Sequence, residues 1–297
     1  MPVALHRFGP VIKKTLNNAR DMRYRVSDLV WPARRPGTAF TGSVNVARGR
    51  VPHILVGTSG WTYASWKGTF YPEGLPSRRY LEFYAQEFPT TEVNYSFYHL
   101  PRPETYMNWA RQVPDAFIFA VKASRLITHS KRLLGAEEVW RRFVDHAFGL
   151  GTHLGPILLQ FPPSLQRETT RLADFLQMAQ AGNGSRVKLR LVCEFRHASW
   201  FTGEIYRLLQ DQKVGLCIAD SPTFPRRDVV TADFTYIRFH GRSALFASSY
   251  SEAELAREAE AMQKYLRQGL DVYVYFNNDL RGHAVDNARL LRTLLKA

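Results

Sequence analysis

The sequence is short of cysteine, of acidic residues and of long apolar runs, and each shortage removes a class of protein. Only Cys193 and Cys217 occur, both inside apolar strand-like runs, so neither a disulfide framework nor a cysteine-based zinc site can be built. That suits a reducing cytoplasm. No run of about 18 apolar residues exists, and the uncharged stretch Ala147–Gln166 is broken by Gly149, Gly151, Gly155, Pro156, Pro162 and Pro163, which excludes a membrane span. There is no Gly-x-x-x-x-Gly-Lys-[Ser/Thr] loop, no Gly-x-Gly-x-x-Gly behind a strand and no Gly-x-Ser-x-Gly elbow. Gly182-Asn183-Gly184-Ser185 reads as a turn.

What is present is a chain of 297 residues, 45% hydrophobic and 13% aromatic, long and apolar enough to bury a large core. Lys plus Arg number 40 against 26 Asp plus Glu, a formal net charge of +14 that points first to phosphate or nucleic-acid partners. Residues 1–52 hold ten basic and two acidic residues, so +8 of that charge lies there and +6 in the rest. Of the 40 basic residues 31 are arginine, a uniform bias that genome composition alone would also produce. Residues 1–50 lack sustained periodicity and carry the linker-like Pro32-Ala33-Arg34-Arg35-Pro36-Gly37. They read as a poorly ordered basic extension: a transit peptide, a nucleic-acid arm or, the reading favoured here, the product of a start codon upstream of the true one at Met22 or later.

From His53 onward, short apolar runs alternate with longer segments of helical period, the signature of repeated βα units. Eight strands are predicted: Ile54–Gly57, Thr91–Tyr95, Phe117–Lys122, Pro156–Phe161, Arg190–Glu194, Val214–Asp220, Thr235–His240 and Asp271–Asn277. Helices are predicted near Ser77–Phe88, Pro103–Gln112, Ala136–Gly149, Glu168–Gln180, Thr202–Gln212, Ser251–Gln268 and His283–Lys296, and only the sixth connection lacks one. An α/β fold follows, with residues 51–297 forming a single (β/α)8 TIM barrel, for which about 250 residues is typical. A doubly wound open sheet is the alternative.

In a barrel, function sits at the C-terminal ends of the strands, and those ends are polar here. Alternation predicts an inward set of Glu92, Asn94, Lys122, Gln160, Glu194, Asp220, Arg238, His240 and Asn277, with Cys193 and Cys217 facing outward. So many ionisable groups are costly to bury unless paired. Pairing of Glu92 with Arg238 and of Lys122 with Glu194 would merely fill the lumen; otherwise this is an acid–base site. Aromatic residues crowd the same loops. Phe70 and Phe97 read as core, Trp61 and Tyr98 as surfaces on which a ligand ring stacks. Thr128-His129, after the third strand, stands at the height of a lid or site residue.

The motifs are also recognisable. Gly57-Thr58-Ser59-Gly60-Trp61 with Trp66 and Phe70-Tyr71-Pro72, Glu92-Val93-Asn94-Tyr95-Ser96-Phe97-Tyr98, Phe119-Ala120-Val121-Lys122-Ala123, Leu159-Gln160-Phe161-Pro162-Pro163, Glu194-Phe195-Arg196-His197, Arg238-Phe239-His240-Gly241-Arg242 and Tyr275-Phe276-Asn277-Asn278-Asp279 resemble, in order, the signatures of the domain-of-unknown-function 72 (YecE-like) family. The resemblance spans roughly residues 54–295. It implies a TIM barrel and no particular reaction.

Three chemistries fit the residues. In the first, Lys122, Arg196, Arg238 and Arg242 hold the phosphate or carboxylate of a small molecule or nucleotide. Glu194, Asp220, His240 and Lys122 then supply metal-independent acid–base chemistry, while Trp61, Asn94, Tyr98, Gln160, His197, Asn277 and Asn278 complete the ligand contacts. In the second, Glu194, Asp220 and His240 hold a divalent metal for hydrolysis or isomerisation, or the two carboxylates form a glycosidase pair. The third is a nucleic-acid binding protein whose basic surface follows the backbone. No cofactor is predicted outside the second reading, and no membrane partner in any.

Overall fold

Strands buried on both faces read as nearly unbroken apolar runs, because in a parallel barrel one face meets the lumen and the other the helices. The computed structural model describes residues 51–181, 188–280 and 282–297. Its elements are β1 (Ile54–Thr58), α1 (Tyr80–Glu87), β2 (Thr90–Val93), α2 (Tyr95–Tyr98), α3 (Pro103–Ala110), β3 (Ile118–Lys122), α4 (Glu137–Ala147), β4 (Leu154–Gln160), α5 (Thr169–Ala181), β5 (Leu191–Glu194), α6 (Gly203–Asp211), β6 (Gly215–Asp220), β7 (Phe234–Phe239), α7 (Glu252–Arg267), β8 (Asp271–Phe276) and α8 (His283–Leu295). Each strand pairs in parallel with the next, and β8 returns to β1 from Val272 opposite Ile54 to Phe276 opposite Thr58, so the sheet is a closed barrel. This is the (β/α)8 architecture, and closure overturns the open-sheet alternative. The basic extension and the turn at residues 182–185 lie outside the described residues.

The helices form where the pattern puts them. On α4, Trp140, Phe143, Val144 and Ala147 are buried at the i, i+3, i+4, i+7 spacing of one face. Ser251 and Glu254 make a capping box at the start of α7, Thr202 caps α6, and Pro103 occupies the first turn of α3, where its missing N–H is harmless. Residues 221–233 join β6 to β7 without a helix, as expected. No helix among the described residues is long and apolar enough to cross a membrane.

Three local readings change. The second strand stops at Val93, because Asn94 takes a helical backbone and Tyr95–Tyr98 forms the short α2. Leu126–Ser130 forms a single π-helical turn after β3. On β6 the alternation runs opposite to expectation. Cys217 packs in the lumen with Ala219, Tyr236 and Tyr275, whereas Leu216 and Ile218 face the helices, and Asp220 shares their side. Period-2 alternation fixes which residues share a face but not which face is the lumen when both are apolar.

The β1–β2 approach depends on Gly57, where a Cβ would lie 2.0 Å from the Thr90 carbonyl oxygen. That closeness lets the Tyr84 hydroxyl, itself donating to Thr90 O (3.0 Å), accept from Thr58 N (2.9 Å). Gly57→Ala is therefore expected to cost ~3 kcal/mol or more of stability, since backbone cannot yield as a side chain does. A urea midpoint equal to wild type would show that the two strands have room to separate.

Candidate functional site

The centre of the lumen is held by one guanidinium. Arg238 of β7, fully buried, donates from Nη2 to Glu92 Oε1 of β2 (2.7 Å) and from Nη1 to Glu194 Oε2 of β5. Ser59 Oγ (2.8 Å) and the Tyr236 hydroxyl (2.6 Å) also donate to Glu92, and Arg196 Nε (2.7 Å) donates to Glu194 Oε1. Burial is the largest single influence and would raise both carboxyl pKa values, but the Arg238 charge together with Tyr236, Lys122 and Ser59 at Glu92, and with Arg196 and His240 at Glu194, outweighs it and holds each below its ordinary value, Glu194 well below. Both are ionised at neutral pH.

His240 lies two residues beyond Arg238 on the same face. Its Nδ1 faces the Asn277 amide nitrogen at 3.1 Å, and its Nε2 is 3.7 Å from Glu194 Oε1. Burial and then the Arg238 charge push the ring down to about 4, so it is neutral near pH 7. With Nδ1 accepting from Asn277, the proton sits on Nε2 toward Glu194.

Above this layer opens a cavity of about 800 Å³. Of the four residues expected to carry acid–base chemistry, only Lys122 lines it; Glu194 and His240 lie beneath the cavity floor with no exposed surface. Asn94, Tyr98, Gln160, Arg196 and Asn277 line it as expected, and His129 joins them. Burial and Lys122 push the His129 ring down to about 4. Loop residues Tyr63, Arg125, Phe246 and Leu280 also line the cavity, and no periodicity in the sequence could have singled them out. Phe97, expected to be core, is buried yet turns its ring to the Lys122 Nζ at 4.1 Å from its centroid.

Lys122 is not paired with Glu194, whose oxygens are taken by Arg196 and Arg238. Among the described residues the Lys122 ammonium makes no ion pair. Burial, and then Arg238, push its pKa down to about 7. Asp279 also reaches the cavity; burial raises its pKa although Trp66 Nε1 donates to it at 2.8 Å.

Other expected site residues lie elsewhere. Asp220, on the helix-facing side of β6, accepts from Arg226 (2.7 Å), Arg242 (3.0 Å) and the Tyr250 hydroxyl (2.8 Å), and both arginines also reach Glu258 of α7. Glu194, Asp220 and His240 therefore do not converge, neither as a metal site nor as a carboxylate pair, and no group of three or more His, Cys, Asp or Glu side chains among the described residues is placed to hold a metal ion. Arg242 belongs to the Asp220 cluster, Arg238 to the lumen, and His197 to a bond with Ser199 (2.8 Å). Asn278 is fixed by Asn287 (2.8 Å) and Ser248 (2.9 Å). Trp61, 8% exposed, packs edge-on against Trp109 and lines a second cavity of about 490 Å³ that shares Tyr63, Asn94 and Tyr98 with the first.

The model of a family described as "Protein of unknown function DUF72" matches residues 55–297. The chain is similar to the UPF0759 protein YunF of Bacillus subtilis, at 25% identity over 82% of this chain and 94% of that one. It is also similar to the UPF0759 protein YecE of Escherichia coli, at 28% identity over 63% and 74%. Among solved structures, a DUF72 family protein from Thermotoga maritima is 30% identical, with a TM-score of 0.73 over 82% of this chain and all of that one. Another from Enterococcus faecalis, at 22% identity and a TM-score of 0.70 over 82% and 96%, shares the fold.

Two outcomes follow from the lumen. Arg238→Met leaves two buried carboxylates facing each other and is expected to cost ~3–5 kcal/mol; a loss below ~1 kcal/mol in chemical denaturation would mean that water reaches them. His240 takes up its proton at about 4 in the fold against 6.5 ordinarily. The unfolded chain thus binds more protons between those values, and stability falls as the pH drops from 6.5 to 4. His240→Gln is expected to remove up to ~3 kcal/mol of that fall. Identical pH profiles for the variant and wild type would show that the ring is charged in the fold.

Proposed function

The chain belongs to the DUF72 family, and we propose that its barrel mouth binds an anionic small molecule or nucleotide and acts on it by metal-independent acid–base chemistry. One observation carries this reading. Lys122 stands at the cavity wall with no carboxylate partner among the described residues, flanked by Arg125 and Arg196, while Asp279 brings the acidic charge. A bound phosphate or carboxylate would supply the missing counter-charge, with the Arg196 fork already aligned by Glu194.

Lys122 is also the group suited to exchanging a proton at neutral pH, because its pKa is pushed down to about 7 by burial and Arg238. Glu194 and His240, buried beneath, act through Arg196 and Asn277 as positioning residues. Asn94 supports a ligand donor in the cavity: its buried Oδ1 has no hydrogen-bond partner, and the residue lines both cavities. Trp61, Tyr95 and Trp109 in the second cavity suit a flat or apolar part of the same ligand, such as a base.

The test is calorimetric titration of the full chain with inorganic phosphate, citrate and mononucleotides. Lys122→Met and Arg196→Gln are each expected to weaken the best of these about tenfold or more, near 1.4 kcal/mol. Lys122→Met should at the same time raise stability by ~1–3 kcal/mol, because it removes an unpaired buried cation. Absence of binding by every anion would defeat the proposal. Binding only to oligonucleotides, with affinity falling steeply in salt, would favour the nucleic-acid alternative.

A further inference from the structure

Ile118, Ala120 and Lys122 alternate along β3 toward the lumen, and the last of them ends at the cavity. The carboxylates that face Lys122, Glu92 on β2 and Glu194 on β5, are both engaged by Arg238 on β7, and Arg196 beyond β5 takes the remaining Glu194 oxygen. Two guanidinium charges balance two carboxylate charges, so Glu92 and Glu194 attract the Lys122 proton only at a distance and neither is left to form an ion pair with Nζ. His129, in the turn after β3, is neutral. On the remaining side the Phe97 ring covers Nζ at 4.1 Å. A methionine would fill this position at lower cost, whereas a desolvated lysine beside other cations is the usual setting of an amine nucleophile.

We propose that Lys122 forms an imine with the carbonyl carbon of an aldehyde or ketone that carries a carboxylate or phosphate. This deepens the anion-site reading and rests on it for the ligand's charge. The Nζ lone pair adds to the carbonyl carbon as the C=O π electrons move to oxygen, and a proton passes from nitrogen to that oxygen to give a carbinolamine. The hydroxyl takes up a second proton and leaves as water, so that one amine, one carbonyl and one proton yield one iminium and one water. The Phe97 face shields the iminium from hydrolysis on one side, and Arg196 and Arg125 lie in the same cavity to receive the anionic group. The iminium would then draw electrons from the adjacent carbon, which turns a carbonyl ligand into one that exchanges protons or breaks a bond at that carbon.

The experiment is reductive trapping of the full chain at pH 7 with cyanoborohydride and, separately, glyoxylate, glyceraldehyde 3-phosphate or propionaldehyde, read by intact mass and peptide mapping. Ordinary lysines, with a pKa of ~10.4, hold less than ~0.1% free amine at that pH, so a selective adduct stands out by roughly a hundredfold or more in rate. The expected result, apart from alkylation of the α-amino group, whose pKa of ~7.7–8.0 leaves it partly free, is one secondary amine, on the peptide containing Lys122, formed faster with an anionic aldehyde than with propionaldehyde and absent in Lys122→Met and Lys122→Arg. The wild-type map alone decides should neither variant fold. Adducts scattered over surface lysines, with Lys122 unmodified, would overturn the imine; if phosphate still binds, the anion site survives that failure. A Lys122 adduct that forms equally fast with propionaldehyde would uphold the amine's reactivity and overturn the anion reading instead.

Discussion

The buried Arg238 guanidinium is the constraint on which the upper half of this barrel depends. It joins β7 to β2 through Glu92 and to β5 through Glu194 across the lumen. Any one of these three charges left alone in a closed barrel would be prohibitively costly, so each requires the others. The hydroxyls of Ser59 and Tyr236 and the Arg196 side chain occupy further carboxylate lone pairs, which ties the layer into one hydrogen-bonded network.

That closure determines the character of the cavity above it. Two carboxylates that might have neutralised Lys122 are already committed, and the site presents Lys122, Arg125 and Arg196 to whatever enters. Burial, and then the Arg238 charge, keep His240 neutral, so its ring holds the Asn277 amide by a directional hydrogen bond rather than by charge. Arginine does similar work outside the barrel. Arg226 and Arg242 bind Asp220 and Glu258 between β6 and α7, on the side of β6 away from the lumen.

The lining of the cavity was partly legible before folding. The polar strand ends on β2, β3, β4, β5 and β8 identify Asn94, Lys122, Gln160, Arg196 and Asn277, because side-chain alternation is a local property of a strand. Asp220 and Cys217 exchanged faces, since β6 is apolar on both sides and its alternation carries no absolute sign. Trp61 both packs on Trp109 and lines the second cavity, a double placement that a tryptophan in a loop does not announce in sequence. Tyr63, Arg125 and Phe246 come to the cavity on loops, whose course local patterning does not specify.

Alternation of short apolar runs with helical segments determined the eight βα units and their order, because each depends on neighbours a few residues apart, and the ordered motifs determined the family. Closure of β8 onto β1, the faces that Cys217 and Asp220 take on β6, and the pairing of Glu194 with Arg238 and Arg196 rather than with Lys122 were decided only by tertiary structure. Those features rest on contacts between residues far apart in the chain, Glu194 with Arg238 above all, and on a desolvation that exists only once the barrel has closed.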